Sequence, residues 1–202
     1  MSEKIAKILN YLFHPILMPT YGSILLLNIN HLLFQLPYKA KLLIILIIFF
    51  LTFILPLITI YFMKVNGILK SLIMLQKEDR YLPYLVIIIF YYLTYKILFR
   101  IPLLLPILNN FIIGATFIVV LAMLINFKWK ISSHMLGIGG LTGTFIGLMF
   151  KLQLDIRFLI VILILLSGTI GFARLKSQAH TPAQVYTGFA LGAIIMGFLF
   201  SF

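Results

Sequence analysis

Residues 42–62 read LLIILIIFFLTFILPLITIYF, twenty-one positions without a single charge. Wound as an α-helix at ~1.5 Å per residue, the run is about 31 Å long, matching the hydrocarbon core of a bilayer. Only a helix, or a closed barrel, satisfies every backbone polar group in lipid. Outward from this run, further apolar stretches occur at 81–99, 103–125, 134–150, 156–173 and 182–201. Residues 15–36 form a seventh candidate, interrupted by Pro15, Pro19, Asn28, Asn30 and His31. Ahead of it, residues 4–13 form a short amphipathic stretch carrying Lys4 and Lys7. The expectation is an all-α, polytopic integral membrane helical bundle with six core transmembrane helices and a candidate seventh N-terminal span. Residues 1–202 read as one membrane-embedded domain, with 1–36 as an amphipathic and helical extension.

Composition agrees. The 202 residues are 63% apolar and 10% charged, with mean hydropathy +1.17. A soluble domain carries about a quarter charged residues, so this chain lacks the polar surface to cover a water-facing globule. It has no cysteine, which excludes disulfides and thiolate chemistry. Its acids are Glu3, Glu78, Asp79 and Asp155. A magnesium site needs carboxylates, so no metal and no other cofactor is expected. The net charge is +12, but the basic residues come in ones and twos between apolar runs. That pattern anchors helix ends at lipid headgroups and argues against nucleic acid as a partner. No small-residue cleavage site follows the first apolar run, so no removable signal peptide is expected.

Gly139, Gly143 and Gly147 lie four apart on one span, and Gly188 and Gly192 repeat the spacing on the last. Small residues on one face let helix backbones approach closely in lipid. These two helices are therefore predicted to pack inside the bundle. Both begin next to a histidine.

Three polar clusters interrupt the apolar background: Lys77-Glu78-Asp79-Arg80, Lys128 through His134, and Arg174 through Gln184. Two spans separate each from the next, which returns the chain to the same membrane surface. Ser132 or Ser133 is placed to cap the helix that starts near His134. Thr181-Pro182 reads as an N-cap followed by proline at the first helical position. Both helices then direct positive N-termini to that surface, where they attract anions. Arg174 and Arg80 add forked donors suited to phosphate. Gln184 is one helical turn from His180, within reach of its ring. His14 and His31 read as ordinary interfacial side chains.

Arg174-x5-His180-x3-Gln184 resembles the third motif of the type 2 phosphatidic acid phosphatases, Ser-Arg-x5-His-x3-Asp. Ile131-Ser132-Ser133-His134 resembles their second motif, Pro-Ser-Gly-His. Lys77 and Arg80 stand in for the first, Lys-x6-Arg-Pro. The resemblance covers residues 64–202. Ile73 and Tyr81 occupy the first motif's Lys and Pro positions, Ala173 replaces a Ser, and Gln184 replaces the Asp. The resemblance implies a membrane phosphatase acting on a lipid phosphate or prenyl diphosphate, without metal, through a phosphohistidine. His180 would be the nucleophile and His134 the acid for the leaving group. Arg174, Arg80, Lys77, Ser132 and Ser133 would hold the phosphate, and Gln184 would orient His180. The implied location is the outer face of a bacterial cytoplasmic membrane. The exchange of Asp for Gln184 leaves open a second reading, a weak or inactive relative that binds or moves an anionic phospholipid. Oligomeric state is not encoded in any of these features.

Overall fold

The computed structural model describes residues 3–29, 36–69, 78–101 and 106–202. It is all-helical, with no strand among the described residues. Six helical segments are long and apolar enough to cross a membrane, and the chain is an integral membrane protein. They are Tyr38–Val65, Glu78–Phe99, Pro106–Asn126, Ser133–Leu152, Arg157–Lys176 and Pro182–Ser201, each within a few residues of its apolar run. The seventh span is not confirmed. The helix there, α2 (Met18–Asn28), has 11 residues, about 16 Å of rise against about 30 Å of hydrocarbon. Residues 30–35, including Asn30 and His31, lie outside the described residues.

The chain divides into two compact units. The second unit, residues 19–123, holds the segment that opened the sequence reading. Its α3 (Tyr38–Phe49) runs through a π turn at Phe50–Ile54 into α4 (Leu55–Val65). Pro56 explains the π turn. Proline lacks an N–H and its ring collides with the carbonyl four residues back, here that of Thr52. Widening the helix over Phe50–Ile54, with Leu55 N–H bonding to Phe50 O, lets the span continue. This unit also holds α5 (Tyr81–Phe99) and most of α6 (Pro106–Asn126).

The first unit joins residues 1–18 to 124–202. It comprises α1 (Glu3–Leu12), the 3₁₀ turn Pro15–Leu17, α7 (Ser133–Leu152), α8 (Arg157–Lys176) and α9 (Pro182–Ser201). α7 is the central helix: two-thirds of its apolar window is buried, against 28% for α8 and α9. Its glycines bring it backbone to backbone with α9. A Cβ on Gly139 would collide with Phe189 O, and one on Gly143 with Ala193 O. One on Gly192 would collide with Leu136 O, and one on Gly188 would stand 2.9 Å from Ser132 O. Backbone atoms cannot rotate away, so glycine is required for this approach. α1 packs along α8. The glycine contacts fix the end of α7 that bears His134 against the end of α9 that follows His180.

Candidate functional site

The site is built from the turn between α8 and α9. The last turn of α8 carries Arg174 and Lys176, cations that complement a helix's negative end. The helix closes with Ser177 N–H to Ala173 O at 3.1 Å and Gln178 N–H to Leu175 O at 3.0 Å. Gln178 then adopts a left-handed backbone, φ +50°, where helix ends usually use glycine. Ala179 N–H turns back to Arg174 O at 3.3 Å. Five intervening residues thus become one tight reversal, with Arg174 before it and His180 after it.

α9 then begins with a capping box. Thr181 Oγ1 accepts from Gln184 N–H at 3.4 Å, and Gln184 Oε1 accepts from Thr181 N–H at 3.2 Å. The same Oε1 lies 3.0 Å from His180 Nδ1. An amide oxygen only accepts, so Nδ1 carries the proton and Nε2 keeps its lone pair. The capping bond also fixes the amide's orientation, because a flipped Gln184 would set its NH2 against the Thr181 N–H. His180 is buried and lines a shallow, open depression of about 560 Å³ together with Lys130, Leu175, Gln178, Thr181 and Gln184.

The start of α7 stands beside this turn. Ser132 N–H donates to Gln184 O at 3.4 Å, a direct tie between the starts of α7 and α9. Ser132 takes the expected N-cap position, yet its side chain makes no cap hydrogen bond. The residue is fully buried and its Oγ has no partner among the described residues. Ser133 is the first residue of α7.

His134 Nε2 lies 3.0 Å from the backbone carbonyl of Asn10 in α1. A carbonyl only accepts, so in the neutral ring Nε2 carries the proton and Nδ1 the lone pair. The His14 ring meets His134 edge-on, with centroids 5.5 Å apart and planes at 76°. His14 precedes Pro15, which biases its backbone to the extended region; it has φ −60° and ψ 136°. From there its Nδ1 accepts from Ile16 N–H at 3.4 Å. Burial, reinforced by the charge of Arg174, pushes His14 down to about 4, so it is neutral at pH 7.

The first unit thus gathers His134, His180, Arg174, Ser132 and Gln184 at one end of three helices. His134, Ser132 and Arg174 are not lining residues of the cavity beside His180. Lys77 lies outside the described residues. Arg80 closes the short 3₁₀ turn Glu78–Arg80 in the second unit, while the histidine cluster lies wholly in the first. Asp155 is tied to Arg157 at 3.0 Å, an exposed pair at the opposite end of α8, roughly 26 Å of helix from Arg174. Sequence reasoning missed His14, Asn10 and Lys130. The signals within reach were the His-Pro pair at 14–15 and the place of Lys130 four residues before His134.

Fold and site together define an integral membrane protein with a cluster of histidine and arginine at one end of its helices. No family model, no curated protein and no solved structure matches the chain.

Proposed function

We propose that the chain is a membrane phosphatase that hydrolyses a lipid phosphate or prenyl diphosphate through a phosphohistidine on His180, without a metal ion. The observation that carries this reading is the contact between Gln184 Oε1 and His180 Nδ1. It places the ring proton on Nδ1 and leaves a nucleophilic lone pair on Nε2, in a residue that lines a shallow, open depression. The surroundings suit an anion. Two helix N-termini meet there, Arg174 stands at the other side of the α8–α9 reversal, and the buried Ser132 hydroxyl has a donor to give.

Phosphoryl transfer rests mainly on positioning and charge stabilisation. Nε2 of His180 forms a bond to phosphorus as the bond to the leaving oxygen breaks, and His134, after taking up a proton from solvent at Nδ1, gives that oxygen its proton. Water then attacks the phosphohistidine and gives a proton to Nδ1 of His134, the P–N bond breaks, and its electron pair returns to Nε2. Inorganic phosphate leaves. Arg174 and Ser132 hold the equatorial oxygens, with the Ser133 backbone N–H beside them. The outer face of a bacterial cytoplasmic membrane is the location this reading carries.

A second reading has its own observation. Gln184 is neutral, so it orients His180 without stabilising the cationic ring that the attack creates, which favours a binder of anionic phospholipid. Phosphate release from phosphatidate and a prenyl diphosphate in detergent separates the two. Parent protein is expected to turn over, and His180→Ala to lose at least about a thousandfold while still folding. Activity near the parent level in His180→Ala removes His180 as nucleophile. Binding without turnover in the parent leaves the second reading.

A further inference from the structure

We propose that α1 is a positioning element of the site: the Asn10 carbonyl holds His134 in its Nε2–H tautomer and makes Nδ1 the atom through which that ring exchanges its proton. A neutral imidazole has one N–H to place, and the hydrogen bond made by one nitrogen decides the state of the other. Here the deciding acceptor comes from 124 residues away in sequence.

The exit from α1 is shaped to leave that carbonyl available. The last carbonyls of a helix have no intrahelical partner. Phe13 N–H takes Leu9 O at 2.9 Å, and His14 N–H takes Tyr11 O at 3.3 Å. The tightening of the final turn therefore skips Asn10 O, and His134 uses it. α1 is held in place by its packing on α8, with Ala6 buried at 2% exposure. Its other side, with Lys4, Lys7, Ile5, Ile8 and Leu12, is exposed. The buried position on α1 thus carries a small side chain, with no exposed room for a larger one.

The two site histidines are then locked in opposite senses by independent devices. Gln184 puts the proton of His180 on Nδ1, and Asn10 puts that of His134 on Nε2. The catalytic consequence, an acid that works through Nδ1, rests on the phosphatase reading; the tautomer itself does not.

The test is ¹⁵N NMR of the full chain labelled at histidine, in micelles near pH 7.5, with signals assigned through single histidine substitutions. The parent is expected to show His134 as Nε2–H and His180 as Nδ1–H. Ala6→Leu wedges α1 away from α8, and Leu9→Pro breaks the turn that presents Asn10. In both, His134 is expected to spread over the two tautomers while His180 stays unchanged. Turnover should fall about tenfold in kcat, with KM unchanged and the pH profile displaced. A parent His134 in the Nδ1–H form overturns the proposal. So does a His134 that keeps one Nε2–H tautomer in Leu9→Pro. If the tautomers behave as stated but no protein releases phosphate, the positioning role stands and the phosphatase reading falls.

Discussion

His14-Pro15 and His180-Thr181-Pro182 are two versions of one turn, each setting a histidine ahead of a proline-started helix. In the first, the histidine is itself the cap. Its Nδ1 accepts the Ile16 N–H, so the remaining nitrogen of the neutral ring is a donor. In the second, Thr181 does the capping and His180 is released from it. Gln184 Oε1 then accepts from Nδ1–H, and the remaining nitrogen carries a lone pair. One inserted residue reverses the imidazole. The cap therefore decides whether such a histidine can attack or only donate.

The comparison breaks altogether if α7 and α9 separate, and this is the largest expected effect. Gly143→Val would drive a side chain into Ala193 O. Overpacking against backbone should cost several kcal/mol. The expected result is a protein that fails to give a monodisperse peak in detergent, whereas Gly168→Val, at a position with open space around its Cβ, should purify normally.

Acid should distinguish the two turns next. His14 is held near 4 against an ordinary value of 6.5, so between those values the unfolded chain binds a proton that the folded chain refuses. Stability is full above pH 6.5, declines as pH falls towards 4, and levels off below. The difference is up to about 3 kcal/mol. His14→Asn keeps a good cap and removes the titration, so its melting temperature in detergent should fall less than the parent's over that range. Parallel curves for parent and variant would mean that His14 titrates normally.

The sequence shows the second of these turns and conceals the first. Arg174, His180 and Gln184 sit within one reversal and one helical turn, so their spacing alone places them together. The six spans were legible for the same local reason, as uncharged runs of membrane length. His14 and Asn10 reach His134 only because α1 folds onto α8, more than a hundred residues along the chain. Asn10 contributes a backbone carbonyl, which side-chain identity does not encode. Ser132 was legible as a cap position, but not as a hydroxyl left without a cap bond. The π turn at Phe50–Ile54 departs from regular α-helix inside a span, and Pro56 marked the place.

The smallest expected effect sharpens the second turn. Glutamate fits a capping box as well as glutamine does. Gln184→Glu should therefore keep Thr181 and His180 in place and add a negative charge to stabilise the imidazolium. If the neutral partner limits the reaction, a change of one pKa unit in His180 is worth about 1.4 kcal/mol. Turnover should rise several-fold with melting unchanged. A loss of turnover would indicate that a carboxylate elsewhere already serves His180.

The central claim is that Nε2 of His180 attacks phosphorus, and trapping the adduct tests it most directly. Purified protein is mixed with ³²P-labelled phosphatidate or prenyl diphosphate, quenched in alkali where phosphohistidine survives, and mapped by peptide mass spectrometry. The account predicts label on the peptide containing His180, absent in His180→Ala and present in His14→Ala. Steady phosphate release with no label on that peptide, unchanged by His180→Ala, would contradict it.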